Sequence, residues 1–262
     1  MTPIIIIPAR LASTRLPGKP LADIAGKPMI LRVLETAERA NLGDVVVAAA
    51  DQEIYDIVHQ AGGKAVLTDP LLPSGSDRVW HAVQQLDKDK RYEIIINLQG
   101  DLPNFDPTSL HQIMQVMENP FFDIGTLVSS LAPCEASNPS IVKVACCFLE
   151  GQNCVPALYF SRNLIPWGKG DLWRHVGIYA WRRKALTRFV HLPESGLEKR
   201  EHLEQLRALE AGMRIGCARI AQAPCSVDTL EDLQRVRQIY RSIIIKDGTT
   251  SYCLSGKARS LF

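Results

Sequence analysis

The chain opens on an uninterrupted apolar run, Ile4-Ile5-Ile6-Ile7, with no polar position to mark a wet face. A strand of this kind is buried on both sides, as in a parallel sheet covered by helices. The apolar period then changes. Over residues 28–40, Ile30, Leu31, Leu34 and Ala37 share one helical face, with Arg32, Glu35, Glu38 and Arg39 opposite. Residues 44–50 read as a second apolar strand, 51–60 as a helix closed by Gly62-Gly63, and 65–67 as a short third strand. Strand and helix alternating at this spacing predict an α/β fold with a doubly wound, mostly parallel central sheet flanked by helices.

The pattern continues with a helix opening on Pro73-Ser74-Gly75-Ser76-Asp77-Arg78, where Ser74 is placed as N-cap and Asp77 lies three residues on. Residues 92–98 form a fourth strand that runs into Gln99-Gly100-Asp101-Leu102-Pro103. A helix is expected over 105–117 and strands over 124–131 and 141–148, joined by a turn-rich stretch. Residues 173–181 alternate, which puts His175, Gly177 and Tyr179 on one face, the glycine leaving room between two polar side chains. Residues 197–207 read as one helix, with Leu203, Leu206 and Leu209 toward the core and Glu201, Glu204 and Gln205 on adjacent positions. A closing helix starts near Asp228, an N-cap type with Glu231 three residues later. Beyond about residue 245 the periodicity ends. The chain therefore divides into one domain over 1–245 and a tail over 246–262.

Chemistry concentrates after the first strand. Pro8, Pro17 and Pro20 prevent the sheet from continuing. The same segment carries Arg10, Arg15 and Lys19 with the hydroxyls of Ser13 and Thr14. A cationic loop at the carboxyl end of a central strand lies where α/β sheets bind ligands, and two guanidinium forks with one ammonium suit a triphosphate. A solvated basic loop is the plainer reading. Neither G-x-x-x-x-G-K-[ST] nor a G-x-G-x-x-G after this strand occurs, which argues against P-loop ATPases and nicotinamide dehydrogenases. Asp101 stands past the end of another central strand, where Mg²⁺ shared with substrate phosphates needs a carboxylate; a Gly-Asp turn before proline accounts for it equally. Arg78 is a cation at a helix start, where the dipole prefers an anion, so capping does not explain it. Arg162, alone among apolar and aromatic neighbours, needs either a ligand's carboxylate or a structural ion pair. Lys143, on a strand, is expected to face solvent.

Composition narrows the partners. With 30 basic and 28 acidic residues the net charge is +2, too balanced for a nucleic-acid or membrane-surface protein. The seven cysteines include no C-x-x-C pair, so neither a disulfide framework nor a zinc site is indicated. No apolar run reaches the length of a membrane span, and no signal peptide is evident, so a cytoplasmic protein is expected.

The run PARLASTRLPGKPLADIAGKPMI, residues 8–30, resembles the opening signature of the 3-deoxy-manno-octulosonate (KDO) cytidylyltransferases. Further likenesses are QGDLP around Asp101, NPSIVKV around Lys143, ALYFSRNLIPW around Arg162, RHVGIY from Arg174, LEKREHLEQLR from Leu197 and VDTLEDL around Asp228. Together they cover roughly residues 3–240. One departure is Leu102, where that family usually has Glu. The resemblance implies a Rossmann-like nucleotide-diphospho-sugar transferase fold with a small sugar-binding and dimerisation lobe. Residues up to about 120 would bind nucleotide, and 121–245 the sugar and a second subunit. It implies transfer of CMP from CTP to KDO, releasing pyrophosphate, for lipopolysaccharide synthesis. Pro8, Ala9, Arg10, Ser13, Arg15, Lys19, Ser76, Arg78 and Gln99 would contact the nucleotide. Arg162, His175, Tyr179, Glu204 and Gln205 would contact the sugar, and Asp101 and Asp228 would hold Mg²⁺. Arg10, Lys19, Asp101 and Asp228 would carry catalysis, with the anomeric hydroxyl attacking the α-phosphate in line and a homodimer as the assembly. Two other readings fit the same residues: a cytidylyltransferase for another 2-keto sugar acid (8-amino-KDO or sialic acid type), or an idle nucleotide-binding module.

Overall fold

The computed structural model describes residues 2–13 and 15–246; Thr14 and nearly all of the expected tail lie outside the described residues. In chain order, β1 (Pro3–Ala9) is followed by a single 3-10 turn (Lys19–Leu21) and a small ribbon of β2 (Asp23–Ile24) and β3 (Lys27–Pro28). Next come α1 (Met29–Arg39), β4 (Asp44–Ala49), α2 (Gln52–Gln60), β5 (Ala65–Leu67), α3 (Gly75–Leu86), β6 (Ile94–Asn97) and α4 (Thr108–Glu118). The second half holds β7 (Ile124–Ser130), β8 (Lys143–Ala145), β9 (Cys154–Pro156), β10 (Tyr159–Ser161), β11 (Trp173–Arg182) and α5 (Arg183–Val190). It ends with α6 (Gly196–Glu201), α7 (Gln205–Glu210), β12 (Ile215–Arg219) and α8 (Leu230–Lys246).

One sheet runs through the molecule in the order β5-β4-β1-β6-β11-β7-β12-β9, with β8 pairing β11 and β10. The four isoleucines explain the layering. Ile5 and Ile7 enter one core layer with Ile30 and Val33, while Ile4 and Ile6 enter the other with Val79 and Ile95. All four are at most 1% exposed, so neither face of β1 tolerates a polar residue. β1 pairs in parallel with β4 and β6, and β4 with β5; β7 and β12 are also parallel. Between the two parallel blocks β11 runs antiparallel to both β6 and β7. Its amino-terminal half therefore extends past the carboxyl end of β6, toward the edge where the loops after β1 and β6 emerge. No helix among the described residues is long and apolar enough to cross a membrane.

Three expectations change. The strand over 141–148 contracts to β8, and Lys143 is fully buried rather than solvated. Its ammonium donates to the carbonyls of Asn138 at 2.7 Å and Arg162 at 2.8 Å, so backbone acceptors take the place of water. The helix over 197–207 breaks at His202, which adopts φ 55°. Across the break, Arg207 grips Glu198 with two hydrogen bonds of 2.8 and 2.5 Å, and Leu203 and Leu206 both reach the core. The closing helix is capped one residue later than expected: Thr229 Oγ1 accepts from the backbone N–H of Asp232. Asp228 is thereby released from capping. The sequence pattern gives no sign of β12 or α5, although β12 is an interior strand between β7 and β9.

Candidate active site

The loop after β1 is held from several sides. Asp51 accepts the backbone N–H of Leu11 at 2.8 Å, and Gly18, in the left-handed region at φ 67°, donates its N–H back to Leu11. The turn it makes leads into the Lys19–Leu21 turn and fixes the root of Lys19. Opposite, the end of β6 comes close to β1. A side chain at Gly100 would meet the Pro8 carbonyl at 3.0 Å, so glycine there lets the two strand ends approach without being pushed apart. Asp101 follows at once, placed by this crossing. The backbone then ties in a distant segment: the N–H of Val227 donates to the Asp101 carbonyl at 2.9 Å. Val227 is fully buried against Ile24, Met29 and Leu233, which places its neighbour Asp228 beside Asp101.

These elements enclose a cleft of about 750 Å³. Every residue expected to contact nucleotide lines it except Ser76, and so do both expected metal carboxylates. Ala12, Pro20, Ser74, Gly75 and Gly100 line it as well; the capped start of α3 gave the signal for Ser74 and Gly75. Ser74 is the N-cap as expected, accepting the Asp77 N–H at 3.2 Å. The Ser76 hydroxyl instead donates to the Glu204 carboxylate.

Charge is distributed unevenly over the cleft. Arg10 and Arg15 are exposed at its rim. Lys19 lies deeper and donates to Asp101 Oδ2 at 2.8 Å and Asp228 Oδ1 at 3.1 Å; Arg15 also reaches Asp228 at 3.1 Å. Burial works to lower the Lys19 pKa, but the two carboxylates outweigh it and hold the ammonium above the ordinary lysine range. Burial raises Asp101 despite Lys19 beside it. Arg78 is 2% exposed and donates from Nη1 to Thr68 Oγ1 at 2.6 Å and the Asp69 carbonyl at 3.0 Å. Its Nη2 is buried without a partner among the described residues. A guanidinium fixed this way keeps one unsatisfied, buried donor on a residue that lines the cleft.

Of the expected sugar residues, His175, Tyr179 and Glu204 lie near one another, Glu204 reaching the start of α3 through Ser76. Tyr179 stands opposite Asn97 in the sheet, and Asn97 accepts from the Gln99 side chain at 3.1 Å, linking the two areas. The register of β11 against β7 shifts between Val176 and Ala180. Thr126 fills the irregularity, its hydroxyl 3.0 Å from the Ile178 carbonyl and 2.9 Å from His175 Nε2. Such a bulge re-aims side chains, and here the rings of His175 and Tyr179 lie 5.4 Å apart. A side chain built at Gly177 would meet nothing within 4 Å, so open space lies over this glycine of the strand. Burial pushes the His175 pKa down to about 3, and burial followed by the Glu204 charge raises Tyr179. Glu204 itself is raised by burial, against the Ser76 hydrogen bond. Gln205 is 5% exposed, with its Nε2 unpartnered among the described residues.

Arg162 finds backbone rather than an anion. Nε donates to the Glu201 carbonyl at 2.9 Å, Nη1 to Pro139 at 3.1 Å and Nη2 to His202 at 3.3 Å. Three carbonyls left open by two turns satisfy the guanidinium, so a sugar carboxylate is not needed to explain its position. Leu102, where a Glu is usual in the resembled proteins, is 5% exposed within the core beside Phe105. It points away from chemistry, and Asp101 keeps its place.

Residues 4–215 match the cytidylyltransferase family. The chain is 53% identical to the 3-deoxy-manno-octulosonate cytidylyltransferase of Parvibaculum lavamentivorans over 90% of this chain and 91% of that one. It is 50% identical to the protein of the same name from Paramagnetospirillum magneticum, covering 92% and 99% of the two chains. Among solved structures, CMP:2-keto-3-deoxy-manno-octonic acid synthetase complexed with CTP superposes with a TM-score of 0.85 at 39% identity, covering 93% of this chain and 100% of that one. An apo UDP-glucose pyrophosphorylase, at 14% identity and a TM-score of 0.67 over 93% and 99%, shares the fold alone. With half of its residues shared along nine-tenths of its length, the chain belongs to the 3-deoxy-manno-octulosonate cytidylyltransferase family.

Proposed function

We propose that this protein transfers CMP from CTP to KDO, releasing pyrophosphate and supplying an activated sugar for lipopolysaccharide. The observation that carries the reading is the meeting, in one cleft, of Arg10, Arg15, Lys19 and Arg78 with Asp101 and Asp228, together with the open space at Gly177 on the strand that carries His175 and Tyr179. The rim cations hold the triphosphate and place the α-phosphorus toward β11. The buried Arg78 offers its free donor to the base or ribose, and Gln99 lies between nucleotide and sugar. Tyr179, His175 and Glu204 orient the sugar acid so that its anomeric hydroxyl faces the α-phosphorus in line with the departing pyrophosphate. Charge neutralisation and positioning supply most of the acceleration in such transfers.

Asp101 and Asp228 suit Mg²⁺, which is typically held by one or two carboxylates with phosphate oxygens and water. Their carboxylates already converge on one cation, the Lys19 ammonium, which supports the fit. When bound, the ion supplies Lewis acidity toward the phosphate and the attacking hydroxyl. A homodimer is proposed on separate grounds: Leu158, Leu164 and Trp167 are 71%, 49% and 97% exposed on one segment, an apolar strip suited to a second copy. The reaction is tested by ³¹P NMR of protein, CTP, KDO and Mg²⁺. Conversion of the triphosphate resonances into one phosphodiester and pyrophosphate is expected. Persistent CTP, bound but unconverted, would favour an idle nucleotide-binding module.

A further inference from the structure

The carboxylate pair is occupied from within the chain. Lys19 Nζ lies 2.8 Å from Asp101 and 3.1 Å from Asp228, and its side chain is only 16% exposed. Two carboxylates this close in a recessed site repel one another, and removal of their shared cation is costly. The root of Lys19 is fixed by Gly18 and the turn that follows, but its four-carbon stem can swing an ammonium through the cleft.

The charge balance gives the swing a cause. Among the lining residues, four cations face two carboxylates, leaving two positive charges in excess. A divalent cation entering this cleft alone adds repulsion and must displace Lys19. A nucleoside triphosphate brings about four negative charges. It turns the excess negative, offers Lys19 new partners and provides further ligands for the metal. One divalent ion then restores neutrality.

We propose that Lys19 is an internal stand-in for the divalent cation. In the free protein it occupies Asp101 and Asp228 and keeps metal out. The triphosphate draws its ammonium away, so metal enters with CTP or after it. This rests on the metal assignment made above for the same carboxylates.

The test is Mn²⁺ binding without nucleotide, followed by EPR of the free ion. Wild type should bind weakly. Lys19→Met should bind more tightly, by up to about fivefold for each of the two competing salt bridges deleted, as ion pairs of up to about 1 kcal/mol imply. Lys19→Arg, still a fixed cation, should stay at the wild-type level. Adding Asp228→Asn to Lys19→Met should abolish the gain. Should Lys19→Met not fold, melting of the wild type decides: Mg²⁺ alone should leave Tm unchanged, whereas Mg²⁺ with CTP should raise it above CTP alone. Mn²⁺ affinity in Lys19→Met no greater than in wild type, or stabilisation of wild type by Mg²⁺ alone equal to that with CTP, would overturn the proposal. If Asp101→Asn and Asp228→Asn bind Mn²⁺ with CTP as wild type does, the metal assignment fails and the proposal with it. If those variants are impaired while Lys19→Met behaves as wild type, the proposal alone fails.

Discussion

Replacing Asp228 by Asn removes one charge and almost no volume, and the structure separates its effect on fold from its effect on turnover. The side chain is 35% exposed and meets Lys19 and Arg15, each at 3.1 Å. Ion pairs at that exposure contribute roughly 0–1 kcal/mol. Lys19 keeps Asp101, and the amide oxygen of Asn still accepts a hydrogen bond. The anchors of the segment, Val227 N–H to Asp101 and the Thr229–Asp232 cap, use no Asp228 side-chain atom. A shift in Tm of no more than about 2–4 °C is therefore expected for a chain of this size. Turnover should fall far more. Loss of a charged metal ligand should cost on the order of 10² in rate, equivalent to about 2.7 kcal/mol of transition-state stabilisation. The assay pairs pyrophosphate release at saturating CTP, KDO and Mg²⁺ with thermal melting of the same preparation. Near-normal turnover would remove Asp228 from the metal site. A large loss of Tm would mean that its role is structural.

Three further outcomes follow from the sugar side and the surface. Gly177→Val fills space that no protein atom occupies, so the KM for KDO should rise severalfold with the KM for CTP and Tm near wild type; a parallel rise in both KM values would contradict the open-pocket reading. His175 is held neutral by burial, at a pKa of about 3, whereas an unfolded histidine takes up a proton below about 6.5. Its contribution to stability is thus present above pH 6.5 and lost as pH falls toward 3, and His175→Gln should flatten that decline by up to about 1.4 kcal/mol per pH unit, measured by denaturant melts. An unchanged slope would mean that the imidazole is not desolvated. Trp167→Asp with Leu158→Asp should shift sedimentation from dimer to monomer; a persistent dimer would place the interface elsewhere.

Much of this arrangement is legible in the sequence, for identifiable reasons. A run of four isoleucines has one comfortable environment, and the prolines and cations after it locate the ligand edge of the sheet. Local pattern fails where long-range backbone bonding decides. Nothing in the spacing of residues 101 and 228 shows that Val227 will bond to the Asp101 carbonyl; that pairing came from resemblance alone. The sequence readings of Arg162 and Lys143 share an assumption, that a cation must find either an anion or water. Turns with unpaired carbonyls are a third answer, and they are invisible in sequence. The break at His202 was hidden because residues 197–207 contain no glycine or proline, so helical propensity continues through a point where core packing and the Glu198–Arg207 pair reverse it. Likewise β12, with glycine and cysteine at its centre, acquires its identity from the space under Phe122, where a side chain at Gly216 would come within 2.6 Å of the ring.

The most direct test of the central claim is pyrophosphate release with Mg²⁺, measured with CTP or UTP and with KDO, 8-amino-KDO or sialic acid, each omitted in turn. Release that requires both CTP and KDO is the predicted result. Release with sialic acid but not KDO, or none with any sugar despite bound CTP, would contradict it.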